Sequence, residues 1–171
     1  MRITAICVLG LLLFFGRFCE RKTPQPTPQP PSTLEPTLRS AKITFSLPKG
    51  DDKDDNSKAT VTVTSKVNNQ FDQRIASLED FGDQQTWEDD GSKSYPYDLN
   101  VVGGTKYSTV TGGGIKTKLE FKANGDDRVY FNYRLVLIFD DNDPSTAPVE
   151  LEQTNPSLIE MSETKRTYTN P

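Results

Sequence analysis

Acidic residues in the loop regions are the side chains of this sequence best suited to chemistry. Calcium takes roughly six to eight oxygen ligands, and carboxylates on flexible loops supply them. The acidic residues, with the amide of Asn56 in the first group, form these clusters: Asp51, Asp52, Asp54, Asp55 and Asn56; Asp80, Asp83, Glu88, Asp89 and Asp90; Asp126 and Asp127; Asp140, Asp141 and Asp143. The clusters predict a calcium site. Its expected ligands are Asp51, Asp52, Asp54, Asp55, Asp83, Asp140 and Asp141.

The same clusters also have a structural interpretation, because Asp, Asn and Gly form tight turns and keep an exported protein soluble. The run from Asp51 to Asn56 is not an EF-hand loop, since it lacks the glycine at its sixth place and the terminal glutamate. Whether the clusters converge in space therefore decides between a site and solvated turns.

Strand order predicts which loops lie together. If consecutive strands run antiparallel, every second loop emerges at the same end of the fold. The loops at 50–57, 79–94, 111–114 and 140–143 are then expected at one end, and the turn at 124–127 at the other. Three acidic clusters would thereby converge, which favours a site.

Aromatic residues suggest a different ligand. Trp87, Tyr95 and Tyr97 lie close together in the sequence and could stack on a sugar face, as in a carbohydrate-binding module. The alternative is that they fill the core or cover a sheet. A carbohydrate-binding module is therefore the second functional hypothesis.

Composition argues against catalysis and against nucleic acid. The chain has no histidine, which excludes a Ser-His-Asp or Cys-His nucleophile and any zinc site that uses histidine. The glycine run 112–114 lacks the lysine and the helix of a phosphate-binding loop. The net charge of −4 opposes binding to a phosphate backbone. We expect a non-enzymatic protein that binds no nucleic acid.

The first 19 residues predict export. Arg2 precedes an apolar run from Ala5 to Phe15, which is too short to span a bilayer and is typical of a signal peptide. An apolar run that ends in Cys19 before a polar tether resembles a bacterial lipoprotein precursor, which implies lipidation of Cys19 and a lipid-anchored protein at the cell surface. Arg17 and Phe18 depart from the small residues usual at that position, so simple cleavage and secretion remain the alternative.

The rest of the chain divides into three segments. Residues 20–40 repeat a Thr-Pro-Gln-Pro unit and predict a polyproline linker. Residues 41–143 carry the folded domain, which has no cysteine. Residues 144–171 are polar and contain prolines, so we expect a mostly disordered tail.

Alternating hydrophobicity within the domain predicts strands. The longest run is 128–139, in which every second residue from Val129 to Phe139 is apolar. Further alternating segments are 43–47, 59–67, 95–101, 115–121 and a short strand at 105–111. Residues 71–78 fit a strand or a helix, and we predict a strand. The expected fold is all-β, an antiparallel β-sandwich of about seven or eight strands.

Three of these features together resemble PLAT or C2-type sandwiches. They are the acidic run from Gly50 to Asp55 after a short strand, the Val-Thr-Val-Thr strand at 61–64, and the aromatic strand that begins at Tyr130. In those families, loops at one end often bind calcium and then membranes, lipids or proteins. The resemblance covers residues 41–143 and implies a calcium-binding loop face. Apart from Trp87, the exposed basic and aromatic loop residues of membrane-docking members are missing.

The functional expectation is therefore an exported, non-catalytic binding module with an acidic, calcium-binding loop face. Its expected partners are an extracellular protein or a glycan, and it would meet a membrane only through the lipid anchor.

Overall fold

The structure, a computed structural model, describes residues 34–48, 52–67, 71–88, 91–143 and 147–170. The predicted signal peptide, Cys19 and most of the predicted linker lie outside the described residues. Within the described part of the chain, no helix is long and apolar enough to cross a membrane.

Eight strands and one short helix make up the described chain. They are β1 (Thr37–Ser46), β2 (Lys58–Val67), β3 (Phe71–Phe81), β4 (Ser94–Val101), α1 (Tyr107–Gly113), β5 (Ile115–Lys122), β6 (Arg128–Asp140), β7 (Val149–Ser162) and β8 (Thr167–Asn170). The predicted all-β fold is confirmed, and the segment at 71–78 is a strand.

All neighbouring strands pair antiparallel, in the order β7-β6-β1-β4-β3-β2-β5-β8. The sheet consists of two four-stranded halves, β7-β6-β1-β4 and β3-β2-β5-β8. A short pairing joins them, in which Ala76 faces Val101 and Ser77 faces Asn100. Both halves contribute to one core cluster, so their inner faces pack together as in a sandwich.

The long strand β6 supplies the centre of that core. Its inward residues Val129, Phe131, Tyr133, Leu135, Leu137 and Phe139 are all buried, which is the alternation predicted from the sequence. Ile43 and Phe45 from β1 pack beside them, and Val61 and Leu119 come from the other half. Because each such side chain leaves water almost completely, each contributes roughly 1.5–3 kcal/mol to folding.

Strand β7 at one edge of the sheet is connected to β5 and β8 at the other edge by side-chain hydrogen bonds and not by backbone pairing. The Thr117 hydroxyl donates to the Gln153 side-chain oxygen at 2.6 Å, and Gln153 Nε2 donates to the Ile115 carbonyl at 3.2 Å. Further along, Asn155 Nδ2 donates to the Tyr168 hydroxyl. The sheet is therefore nearly closed, and its two outer strands shield one another.

The prediction of a disordered tail at 144–171 is wrong at its described residues. Residues Val149–Ser162 form β7, which pairs with β6 from Phe139 to Arg128, and Thr167–Asn170 form β8 against β5. Ile159 and Met161 are buried in the core. The sequence of β7 does not show an alternation of apolar and polar residues, because the inward positions 153 and 155 hold Gln153 and Asn155, whose side chains bond to β5 and β8.

Two boundaries also differ from the predictions. Strand β1 begins at Thr37, inside the predicted linker, and Leu38 is buried there. The predicted short strand at 105–111 is helix α1, which buries Val110. Tyr107 and Val110 are three residues apart, so they share one face of this helical turn.

Candidate functional site

Three acidic segments emerge at one end of the fold, and two of them are the predicted ones, but the third is 123–127 and not 140–143. The segments β1–β2 (47–57), β3–β4 (82–93) and β5–β6 (123–127) emerge at one end of the fold, because each strand is antiparallel to its neighbours. We call their described residues the loop end. The segment at 140–143 lies at the opposite end, since Asp140 pairs with Thr37 at the start of β1.

The helix at 107–113 explains this correction. Counting a strand at 105–111 added one reversal of direction, so every later loop was assigned to the wrong end. The turn with Asp126 and Asp127 therefore joins the loop end, and Asp140 and Asp141 leave it.

Lys53 occupies the interior of the loop end. Its side chain is fully buried, with a relative exposure of 0 %. The ammonium donates to the backbone carbonyls of Asp54 at 2.6 Å, Ser57 at 2.8 Å and Gly82 at 2.8 Å. Its nitrogen also lies 5.5 Å from the ring centroid of Trp87, within cation–π range.

Carboxylates surround this ammonium. The charges of Asp127, Asp55, Asp54 and Asp83 all favour its protonated form, while burial has the larger effect and lowers the pKa of Lys53 from 10.5. The Asp127 side chain is itself buried, and it accepts a hydrogen bond from the Asp54 backbone amide at 3.3 Å. Burial raises the pKa of Asp127 above 3.8.

Backbone and side-chain bonds tie the three segments together. Lys53 and Trp87 exchange two backbone hydrogen bonds at 3.1 Å, which join β1–β2 to β3–β4. The Asn124 amide donates to the Ser57 hydroxyl oxygen at 2.9 Å and joins β5–β6 to β1–β2. The loop end is therefore a connected structure and not a set of independent turns.

The predicted metal ligands do not lie together. Some are exposed at the loop end, one forms an ion pair, and two lie at the opposite end of the fold. Asp52, Asp54 and Asp55 are exposed at the loop end, while Asp51 lies outside the described residues. Asp83 pairs with Lys58 at 3.0 Å. Among the residues that the structure describes, no three acidic side chains come together as a group that could hold a metal ion.

Asp140 and Asp141 have a local structural role. Asp140 accepts a hydrogen bond from the Asn142 amide at 2.7 Å, and Asp141 accepts one from the Asp143 amide at 2.9 Å. Short side chains that bond to the backbone two residues ahead form Asx turns. These two carboxylates therefore reverse the chain after β6.

The aromatic residues do not form an exposed platform. Trp87 and Tyr95 are buried, with relative exposures of 1 % and 8 %, and Trp87 stacks on Phe45 with ring centroids 5.0 Å apart. Tyr97 is half-buried, and its hydroxyl accepts a hydrogen bond from Trp87 Nε1 at 2.8 Å. These residues close the core beneath the loop end, so the expectation of exposed sugar-binding aromatics is wrong.

Sequence reasoning missed Lys53 and Gly82, and it named Asp127 in an acidic cluster but did not expect it at this end of the fold. A lysine among aspartates normally indicates a solvated charge, so its type gave no sign of burial. Gly82 adopts a φ of +79°, and a Cβ there would lie 3.2 Å from Lys53 Cε. A glycine is therefore needed at this carbonyl both for the backbone conformation and for the approach of the lysine.

No family model matches this chain, and neither a curated protein nor a solved structure matches it.

Proposed function

We propose that this protein is a non-catalytic binding module that uses the loop end to bind a cationic ligand outside the cell. The observation that carries the proposal is the presence, at the same end of the fold, of exposed carboxylates from two separate segments: Asp52, Asp54 and Asp55 from β1–β2 and Asp126 from β5–β6. The signal-like first 19 residues and the proline-rich linker support display beyond the membrane, through a lipid at Cys19 or by secretion.

Charge distribution explains why the ligand should be cationic. The compensating charge of Lys53 is buried, whereas Asp54 and Asp126 face solvent. Exposed carboxylates of this kind steer positive ligands toward them. The basic residues Lys165 and Arg166 at the same end are paired with Glu160 and Glu163. A basic segment of an extracellular protein fits this surface better than a glycan does, because the stacking aromatics are buried.

Calcium is the simplest cation for this surface, and in this proposal it binds at the exposed rim. The Lys53 ammonium takes the interior position, and no three acidic side chains of the described residues form a group that could hold a metal ion. A calcium ion would therefore have to draw Asp52, Asp54, Asp55 and Asp126 together as it binds. The resemblance to PLAT and C2-type sandwiches supports the choice of this metal.

Calorimetric titration tests the proposal. Calcium chloride is added up to about 20 mM, and a lysine-rich peptide is titrated separately at low and at physiological salt. We expect the double variant Asp54→Asn with Asp126→Asn to bind roughly threefold to tenfold more weakly, since each exposed ion pair contributes about 0.3–0.7 kcal/mol. The variant Asp140→Asn with Glu150→Gln removes the same charge at the opposite end and should change affinity by less than about twofold.

The outcomes separate the parts of the proposal. If the peptide binds and calcium does not, the calcium part of the proposal is wrong and the part that concerns a cationic protein ligand is supported. If both double variants weaken binding equally, binding depends only on the net charge of the protein. That result would contradict a binding surface at the loop end. The absence of both interactions would overturn the proposal.

A further inference from the structure

The Lys53 cage has the stoichiometry of an ammonium-binding site. A protonated amine has three N–H donors. The cage offers three carbonyl oxygens, from Asp54, Ser57 and Gly82, at 2.6–2.8 Å from the lysine nitrogen. Every donor therefore has an acceptor, and the fourth substituent of the nitrogen is the carbon chain that enters the cage.

The cage carbonyls are held by the local backbone independently of the lysine side chain. The Asp54 carbonyl also accepts from the Ser57 amide at 3.2 Å, and the Gly82 carbonyl accepts from the Gln85 amide at 3.3 Å. Two backbone bonds between residues 53 and 87 fix the distance between the two segments. These contacts do not involve Lys53 Nζ, so they hold the Asp54 and Gly82 oxygens without the help of the ammonium group.

Nearby groups offset part of the cost of burying a cation in this position. The charges of Asp127, Asp55 and Asp54 favour the protonated amine, and the lysine nitrogen lies over the Trp87 ring, 5.5 Å from its centroid. Three carbonyls fall short of the roughly six to eight oxygens that calcium requires. A compact, singly charged group that donates in three directions matches the cage more closely.

From this geometry we propose that the loop end contains a binding site for a primary ammonium group, which the protein fills with its own Lys53. The built-in cation joins β1–β2 to β3–β4 through its hydrogen bonds and interacts with the charge of Asp127 from β5–β6, without any metal. This inference does not rest on the proposed function, because it concerns the interior of the loop end and not the exposed carboxylates. If the lysine side chain is removed, a free primary ammonium ion should bind in its place.

Replacement of Lys53 followed by chemical rescue tests the assignment. Lys53→Ala empties the cage and leaves room for n-propylammonium, which has the three terminal carbons and the nitrogen of the lost side chain. Lys53→Met removes the charge but fills the space of the lysine side chain with a chain of similar length. Melting temperatures of the wild type and both variants are measured in n-propylammonium chloride, sodium chloride, tetramethylammonium chloride and calcium chloride at equal ionic strength.

We expect both variants to melt below the wild type, because the cage carbonyls lose their donors. Only Lys53→Ala should gain stability from n-propylammonium over sodium, by several degrees and on the order of 5 °C. Tetramethylammonium has no N–H donor and should give no gain. Wild type and Lys53→Met should respond to all the monovalent salts alike.

Two results would overturn the inference. One is a Lys53→Ala variant that gains no more from n-propylammonium than from sodium. The other is a larger gain from calcium, which would make the cage a metal site. If Lys53→Ala does not fold alone, the fraction of protein that refolds in each salt becomes the readout, and the same order of salts is expected.

Discussion

Individual side chains at the loop end belong to two groups with different energetics. Lys53 and Asp127 are buried, and each is held by hydrogen bonds, so removing one leaves an unsatisfied group in a water-poor environment. Asp54 and Asp126 face solvent, where an individual charge contributes little to stability and is screened by salt. Substitutions in the first group should change folding, and those in the second should change ligand binding.

An exposed ion pair on the outer sheet face gives a pH prediction. Arg134 Nη2 donates to Glu152 at 2.7 Å, and together with a bond from Thr154 this lowers the pKa of Glu152 from 4.5 to about 2. Because the folded pKa is the lower one, the stabilising contribution is present above pH 4.5 and is lost as the pH falls toward 2. Arg134→Gln should move the pKa of Glu152 back toward 4.5 and reduce the pH dependence of stability in this window.

NMR titration of the Glu152 carboxyl carbon measures this effect directly. Lys42→Gln is the control, because Lys42 pairs with Asp98 on β4 and not with Glu152. A Glu152 pKa that stays near 2 in Arg134→Gln would show that the arginine is not the cause.

For individual side chains, residue type alone did not predict burial, which depends on the surrounding structure. The acidic residues were recognised from the sequence, and their exposure at 52, 54 and 55 agrees with ordinary solvated turns. The burial of Lys53 was not predictable, because it depends on carbonyls from residue 82, distant in the sequence. A long-range contact of this kind leaves no local pattern.

Among the elements, helix α1 depends on one close approach. Gly113 ends the helix against β2, and a Cβ on it would come within 2.0 Å of the Lys66 carbonyl oxygen. Gly112, one position earlier, has no atom within 4 Å of a Cβ. The two adjacent glycines therefore have different reasons to be glycine.

This contrast predicts opposite effects for two alanine substitutions. Gly113→Ala must displace backbone and should lower the free energy of unfolding by about 1–3 kcal/mol. Gly112→Ala should be neutral or stabilising by up to about 1 kcal/mol, because alanine is the better helix former. Urea denaturation of the two variants measures both values. Equal effects would contradict the contact between α1 and β2.

The strands show where periodicity succeeds and where it fails. In β6 the inward residues are apolar from Val129 to Phe139, so alternation alone identified the strand. In β7 the inward positions include Gln153 and Asn155, which bridge to Ile115 and Tyr168 and broke the apolar pattern. Helix α1 spans seven residues, which is too short for a helical period to be distinguished from a strand.

For the whole molecule, loop positions follow from the number of chain reversals. Once α1 is recognised as a helix, the alternating directions of β1 to β8 place 47–57, 82–93 and 123–127 together. One wrong element was therefore enough to assign the turns at 124–127 and 140–143 to the wrong ends, although most strands and the ends of the two earlier acidic loops were predicted correctly. Global topology is more sensitive to a single error than the fold class is.

The final strands should be essential to the whole fold. A chain that stops after Asp143 loses β7 and β8 and uncovers the edge of β6 along its length. An exposed long apolar strand edge promotes association between chains. We expect this truncated protein to lose cooperative thermal unfolding and to aggregate, as measured by calorimetry and light scattering.

Adjacent leucine and isoleucine residues in β7 provide a matched pair for this prediction. Ile159 is buried with a relative exposure of 4 %, and Leu158 is 56 % exposed. Ile159→Ala should cost about 2–4 kcal/mol, whereas Leu158→Ala should stay within about 0.5 kcal/mol. If the truncated chain melts like the full-length protein, or if the two alanine variants are equally stable, residues 144–171 would not contribute to the fold and would behave as a tail.

The position of Trp87 has a practical consequence. It is the single tryptophan of the chain, so fluorescence excited at wavelengths that tyrosine does not absorb comes from the loop end alone. A dry indole emits at shorter wavelength than a hydrated one, and a protonated amine 5.5 Å from the ring centroid perturbs that emission. The natural chain therefore carries an optical reporter of the packing around Lys53, without any added label.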